Sequence, residues 1–329
     1  MIDVAEVAVR IAVFGTGGVG GYFGGRLAQA GNEVVFIARG AHLAAIRRDG
    51  LRVDSIAGDF VITPAVATDA PASVGPVDAV LVCVKAWQVA DAAAAMLPML
   101  GRDSLVLPLE NGVEAADQLA AVVGSGRVLG GLCRIMSFVF GPGRIRHAGV
   151  APTLELGERD RRRSRRGAAL LAAFDKTIGV SATIADDIEA ALWEKFLFIA
   201  SLSGVGALAG KAAGVLRRDP ETRAMLEGAM REIEALARAR GVALRGDIVE
   251  RTLSYVDGLP EAATTSMQRD ILEGRPSELA YQNGAVVRLA RAAGVPVPVN
   301  ERIYEGLRPK EERARASSRN AAAARGLNP

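Results

Sequence analysis

The apolar stretch Val7 to Phe14 runs straight into Gly15-Thr16-Gly17-Gly18-Val19-Gly20, and a helix-like stretch, Gly21 to Ala30, follows at once. Strand, glycine turn and helix in that order constrain the chain to a βα unit of an open parallel sheet. The spacing gives each glycine a task. Gly15 permits the tight turn, Gly17 lets the backbone approach a ligand with no Cβ in the way, and Gly20 lets helix and strand pack closely. An anion held there meets free N–H groups and the positive end of the helix. The run from Gly15 to Gly20, with Thr16, Gly18 and Val19, therefore reads as a pyrophosphate cradle for a dinucleotide.

The next strand selects which one. Glu33 to Ala38 reads as a short buried strand, and at its end, where a site for NAD places an Asp or Glu on the ribose 2′-OH, this chain has Ala38-Arg39-Gly40. A guanidinium offers forked donors to a 2′-phosphate, so Arg39 points to NADP(H) as the cofactor.

With 329 residues, half of them hydrophobic, the chain can bury the core of a two-domain globular protein. Its 40 basic and 37 acidic residues are evenly mixed, and the net charge of +3 does not call for a nucleic-acid partner. The basic run Arg159 to Arg166 reads as a solvated turn and helix start. Two cysteines, Cys83 and Cys133, and two histidines, His42 and His147, give neither a disulfide framework nor metal-ligand spacing. No metal is expected, and a reducing cytoplasm suits this usage. Met1 to Glu6 carries two acids and does not read as a secretory signal. Phe196 to Gly210 is shorter than a bilayer span and reads as a buried helix, so no membrane partner is expected. Its small residues Gly204, Gly206 and Gly210, with Gly214 beyond, suggest close backbone packing inside the protein.

The first half alternates strand-like and helix-like segments. After the first two strands come a helix around Ala41 to Asp49 and a short β segment within Leu51 to Ala67. A strand at Ala79 to Val84, a helix at Val89 to Met99 and a strand at Ser104 to Leu109 follow. Lys85 and Asn111 lie just past two of these strands, at the carboxyl edge where parallel sheets bind ligands. Val128 to Phe138 and Thr153 to Leu156 supply further strands. From Asp186 onward the spacing is helical: Thr222 to Arg240, a helix beginning in Asp247 to Leu253, Glu278 to Ala293 closed by Gly294, and Val299 to Leu307. The expected fold class is α/β, an N-terminal Rossmann-type parallel-sheet domain (1–185) followed by an all-α domain for substrate and dimerisation (186–308). Residues 309–329 are expected to be a disordered or frayed tail. The glycine-rich helix and apolar faces of the second domain would allow a homodimer.

Reduction of a carbonyl by a nicotinamide needs a proton source for the new alkoxide and groups that hold the substrate. Lys195, where a charged helix start passes into an apolar helix, can bury its stem and present its ammonium. Ser266-Met267-Gln268 and Ser277-Glu278-Leu279 are further candidates, although a carboxylate at a helix start is ordinarily a cap.

Together these stretches resemble the ketopantoate reductases (2-dehydropantoate 2-reductases). The resemblance runs from the glycine motif through Val84-Lys85-Ala86, Glu110-Asn111-Gly112 and Trp193-Glu194-Lys195 to Thr265-Ser266-Met267. It continues through Glu278-Leu279-Ala280-Tyr281-Gln282-Asn283-Gly284-Ala285-Val286 and Gly294-Val295-Pro296-Val297-Pro298-Val299-Asn300. It implies NADPH-dependent reduction of a small 2-oxo acid, ketopantoate first. Lys195 would be the general acid and Glu278 would bind the substrate's hydroxyl end or order the site. Ser266 would hold the carboxylate, and Lys85 and Asn111 would lie between nicotinamide and substrate.

The chain departs from the family pattern at Ile199, Ser203 and Ala263, where asparagines are expected. The first two lie on the face of Lys195, which gives a less polar wall on which Ser203 keeps one hydroxyl for substrate. A different 2-oxo or 3-oxo acid on the same scaffold is therefore the first alternative. A non-catalytic NADPH-binding sensor is the second, although a sensor has no need of a proton donor.

Overall fold

The computed structural model describes residues 9–324. Val7 and Ala8 of the expected first strand, and the stretch Met1 to Glu6, lie outside the described residues. The chain divides into two compact units. One comprises the residues up to Glu110 together with Glu114–Ala191; the other comprises Asn111–Val113 and the chain from Leu192.

The first unit contains β1 (Arg10–Phe14), α1 (Gly18–Gln29), β2 (Glu33–Ile37), α2 (Gly40–Asp49), β3 (Leu51–Ser55), β4 (Phe60–Ile62) and β5 (Val66–Thr68). It continues with β6 (Val77–Val82), α3 (Val89–Met96), β7 (Leu100–Pro108), α4 (Ala115–Val123), β8 (Gly130–Gly141), β9 (Arg144–Gly157), α5 (Arg165–Asp175) and β10 (Ser181–Ile184). Strands β5-β2-β1-β6-β7 form one sheet, every pair parallel. The chain order reverses on either side of β1, so the carboxyl end of β1 is the topological switch point where such sheets bind ligands. The near-continuous apolar runs of β1 and β6 follow from burial on both faces.

A second sheet, β10-β9-β3-β4 with β8 paired to β9, has no separate signature in the sequence. Gly141-Pro142-Gly143 turns β8 back as the antiparallel β9, and β9 in turn pairs in parallel with both β3 and β10. The expected strands at Val128 to Phe138 and Thr153 to Leu156 are thus two arms of one long hairpin. Single β segments such as Leu51 to Ala67 divide into three strands because Gly58 and Thr63-Pro64 interrupt the pairing. The arginine run is ion-paired: Arg159 to Glu189 at 2.6 Å, Arg163 to Asp186 at 2.6 Å and Arg166 to Glu158 at 2.9 Å.

The later chain forms α6 (Ile188–Ala209), α7 (Ala213–Arg218), α8 (Pro220–Ala239), α9 (Ile248–Asp257), α10 (Ser266–Leu272), α11 (Asn283–Ala293) and α12 (Pro298–Ala324). The α/β fold class expected from the sequence is present. Helix α6 is long and apolar enough to cross a membrane by length and composition, yet it carries core residues of the second unit, Trp193, Phe196, Leu197 and Ala200 among them. Gly204, Gly206 and Gly214 pack closely as expected, whereas Gly210 is exposed with nothing within 4 Å of its Cβ position and serves a left-handed turn instead. A Cβ on Gly204 would strike Asn283 and Ile303, one on Gly206 would strike Gln268, and Gly210, with φ 66°, follows the helix end.

Two boundaries need correction. Helix α11 starts at Asn283, not Glu278, because Leu279–Tyr281 form a 3-10 turn and Gln282 leaves helical geometry with ψ −97°. The expected tail is helical through Ala324: α12 continues past Pro309, with Glu311 and Ala314 buried, so tertiary anchoring overrides its polar composition. Residues 325–329 lie outside the described residues.

Candidate cofactor and substrate sites

In the first unit the three motif glycines meet the three demands placed on them. Gly15 has φ 98°, which L side chains rarely adopt. A Cβ on Gly20 would overlap the Gly15 carbonyl and come within 2.8 Å of Val13 Cγ1, so helix and strand touch there. A Cβ on Gly17 would meet nothing within 4 Å. Open space therefore fronts the middle of the loop, with α1 starting at Gly18 behind it. The helix has no acidic residue in its first turn and no side-chain cap, so its first N–H groups are left for a ligand. This cradle fits the pyrophosphate of a dinucleotide.

The other loop residues hold the turn in place. The N–H groups of Gly15 and Thr16 both donate to the Ile37 carbonyl at 3.2 and 3.1 Å, and Thr16 Oγ1 donates to it at 3.0 Å. Thr16 is buried, and Val19 packs against the core between sheet and helix. Gly18 has a task the motif did not announce. A Cβ there would run into the backbone of β8 at Ser137, with Phe138 N at 2.8 Å.

Arg39 lies at the end of β2 as the first, exposed residue before α2. Lys85 follows β6, exposed, with its Nζ 5.7 Å from the ring centre of Trp87 and its N–H donating to Gln88 Oε1 at 3.3 Å. Burial, with Glu110 and Cys133 adding to it, pushes the Cys83 thiol well above its ordinary range, so it stays protonated beside the loop. His42 was not foreseen as part of this region. It stands in the first turn of α2, and burial lowers its pKa against a smaller upward pull from the Thr16 carbonyl.

The remaining candidates fall in the second unit. Asn111 lies in the short loop between β7 and α4, and Gly112 (φ 126°) would place a Cβ 3.2 Å from the Tyr281 carbonyl. This sets Gly112, next to Asn111, against the 3-10 turn that follows Glu278. Glu278 is buried, and its carbonyl accepts from the N–H groups of Tyr281 and Gln282, both at 2.9 Å. Its side chain makes no capping bond to the turn. Lys195 is half-buried on α6, and Ile199 follows it on the same face. Ser203, a further turn along, is completely buried and its Oγ has no hydrogen-bond partner.

Helix α10 is capped by Thr265, which accepts the Gln268 N–H at 3.2 Å, so the Ser266 hydroxyl is not used as the cap. Gln268 Nε2 donates to the carbonyls of Gly206 and Lys211 at 3.2 and 2.8 Å, fastening the Ser266 segment to the end of α6. Another polar chain lies deeper. Asn283 Nδ2 donates to Ala200 O and to Asn300 Oδ1, at 3.3 and 3.1 Å, and Asn300 is held by Glu232. These contacts give the Asn283 and Asn300 positions of the motif a structural duty.

Residues 11–161 match the family model described as ketopantoate reductase PanE/ApbA, and residues 187–311 match its C-terminal counterpart. The chain belongs to the ketopantoate reductase family. A 2-dehydropantoate 2-reductase from Halobacterium salinarum is 36% identical over 296 residues, covering 88% of this chain and 95% of that protein. The crystal structure of a PanE/ApbA family ketopantoate reductase from Ralstonia eutropha JMP134 is 34% identical with a TM-score of 0.85, covering 93% of this chain and 99% of that one. D-mandelate dehydrogenase, solved with NADH and anilino(oxo)acetate, shares the fold at 23% identity and a TM-score of 0.82, over 92% of this chain and 98% of that one. The chain is accordingly an oxidoreductase acting on a CH–OH/C=O couple, in a family of pyridine-nucleotide-dependent 2-oxo acid reductases.

Proposed function

We propose that this protein reduces ketopantoate to pantoate with NADPH. The observation that carries this reading is the meeting of the Asn111-Gly112 loop with the turn behind Glu278, in the unit that also holds Lys195 and Ser266. Bound NADPH supplies the hydride for the keto carbon. Lys195 holds a proton at Nζ for the keto oxygen, which becomes the alkoxide as the carbonyl is reduced. The Ser266 hydroxyl, left over by the Thr265 cap, binds the substrate carboxylate, and Glu278 receives its hydroxyl end. Asn111 and Lys85 serve both cofactor and substrate, and Arg39 takes the 2′-phosphate.

Mixing the protein with NADPH and ketopantoate and following the nicotinamide absorbance tests this directly. Turnover should depend on Lys195, with Lys195→Ala lowering kcat by about a hundredfold or more while NADPH still binds. Near-normal turnover by that variant would remove Lys195 from the mechanism.

A second reading keeps the scaffold and changes the acid. Ile199 is half-buried on the Lys195 face, and Ala263 packs against the apolar core of the second unit, so neither supplies the amide expected there. A more apolar oxo acid suits such a wall, because fewer substrate hydroxyls find partners. A panel of oxo acids compared by kcat/KM separates the two readings.

A further inference from the structure

The segment before Glu278 is held by the last helix. Glu311 of α12 accepts the Ser277 N–H at both carboxylate oxygens, at 3.1 and 3.0 Å, and accepts the Ser277 hydroxyl at 2.5 Å. One turn on, Arg315 donates to the Ser277 carbonyl at 2.8 Å and pairs with Glu311 at 2.5 Å. The Ser277 Oγ also accepts the Leu279 N–H at 3.3 Å. Ser277 is completely buried and Glu311 is 6% exposed.

Every polar group of Ser277 is thus committed, on one side to a buried carboxylate and on the other to a guanidinium. Just after it, the Glu278 carbonyl is fixed by the Tyr281 and Gln282 amides. The backbone of Glu278 is gripped from both ends. Anchoring α12 does not by itself require this arrangement, since Ile303 and Leu307 already bury the earlier part of the helix in the core. Burying a carboxylate carries a desolvation cost that apolar packing would avoid, and such buried ionic groups are best attested where they impose one conformation.

We propose that Glu311, with Arg315, is a positioning residue: a clasp that fixes Ser277 and thereby sets the Glu278 carboxylate for the oxo acid. This rests on the function proposed above for Glu278. It gives the chain beyond residue 308 a role in substrate handling.

The test compares wild type with Glu311→Gln and Ser277→Ala in the full-length protein. Glu311→Gln keeps the size but cannot accept three donor bonds with two anionic oxygens. Ser277→Ala removes the hydroxyl and leaves the N–H. Hydrogen exchange at the amides of residues 278–282 reads the clasp without any substrate, and should speed up at least tenfold in Glu311→Gln. Steady-state kinetics of the folded variant read the consequence: kcat/KM for the oxo acid should fall about tenfold or more, with the NADPH Kd nearly unchanged. Ser277→Ala should move the same quantities in the same direction by less.

Unchanged exchange and kinetics in a folded Glu311→Gln protein overturn the proposal. So does an equal weakening toward oxo acid and NADPH, which marks a general loosening. Should Glu311→Gln fail to fold, Ser277→Ala decides by the same two readouts. A wild-type protein that turns over no oxo acid refutes the functional reading and with it the catalytic half of this proposal, while the exchange rates still decide whether Glu311 fixes the Glu278 backbone.

Discussion

The Gly143 N–H donates to Nδ1 of His42 at 3.0 Å, tying the turn of the β8–β9 hairpin to the start of α2. A ring nitrogen that accepts a hydrogen bond carries no proton, so His42 is the neutral tautomer with its proton on Nε2. Burial reinforces this by lowering its pKa from the ordinary 6.5.

The unfolded chain therefore binds a proton on His42 at a pH where the folded chain still resists it. Stability from this group is complete above about pH 6.5 and declines as the pH falls below that value, levelling off once the lower folded pKa is passed. His42→Gln can still accept the Gly143 N–H but does not titrate. Melting temperatures measured from pH 7.5 to 5 should fall more steeply for wild type than for the variant. Parallel curves would show that the ring does not sense pH.

The glycine loop separates binding from folding. Gly17→Ala adds a methyl to open space at φ −80°, so stability should change by less than about 0.5 kcal/mol. NADPH affinity should fall at least about tenfold, or 1.4 kcal/mol, if the phosphates lie against that carbon. Gly20→Ala pushes its methyl into the Gly15 carbonyl and the Val13 side chain, and should cost about 1–3 kcal/mol in chemical denaturation. Nucleotide titration and denaturation of both variants check the contrast. Equal effects on binding and stability at both sites would contradict it.

Arg39 is exposed where β2 meets α2, so removing it breaks no buried contact. Arg39→Ala should leave the melting temperature alone and weaken NADPH by roughly ten- to a hundredfold, the worth of one or two charge-assisted hydrogen bonds. NADH binding should change little. A common loss for both nucleotides, measured by fluorescence titration, would take the 2′-phosphate away from Arg39.

The parallel sheet and the glycine loop were legible because their determinants are local. Runs such as Ala79 to Val82 encode burial on both faces, and Gly15, Gly17 and Gly20 act on neighbours within a few residues. The second sheet was not, because β9 pairs with β3 and β10 across long stretches of chain that share no pattern. The sequence marks Glu278 as a site residue but puts it at the start of a helix. A 3-10 turn and the non-helical Gln282 keep it off α11, and nothing in the spacing of residues 277 and 311 announces that Ser277 bonds to Glu311. Residues after Arg308, polar in composition, continue as helix because Ala314 is buried among them, which their spacing does not announce. Ser203 shows the opposite limit: spacing sets it two turns beyond Lys195 on α6, but spacing carries no depth, and the hydroxyl is completely buried.

The backbone of Ser137 lying against Gly18 bears on where this protein could be divided. A nucleotide-binding fragment excised at the end of β7 would contain the whole parallel sheet and every motif glycine, yet it would leave the start of α1 uncovered on one side. The smallest autonomous fragment has to reach through the β8–β9 hairpin, and a graft of the glycine loop onto another scaffold would need to bring that hairpin with it.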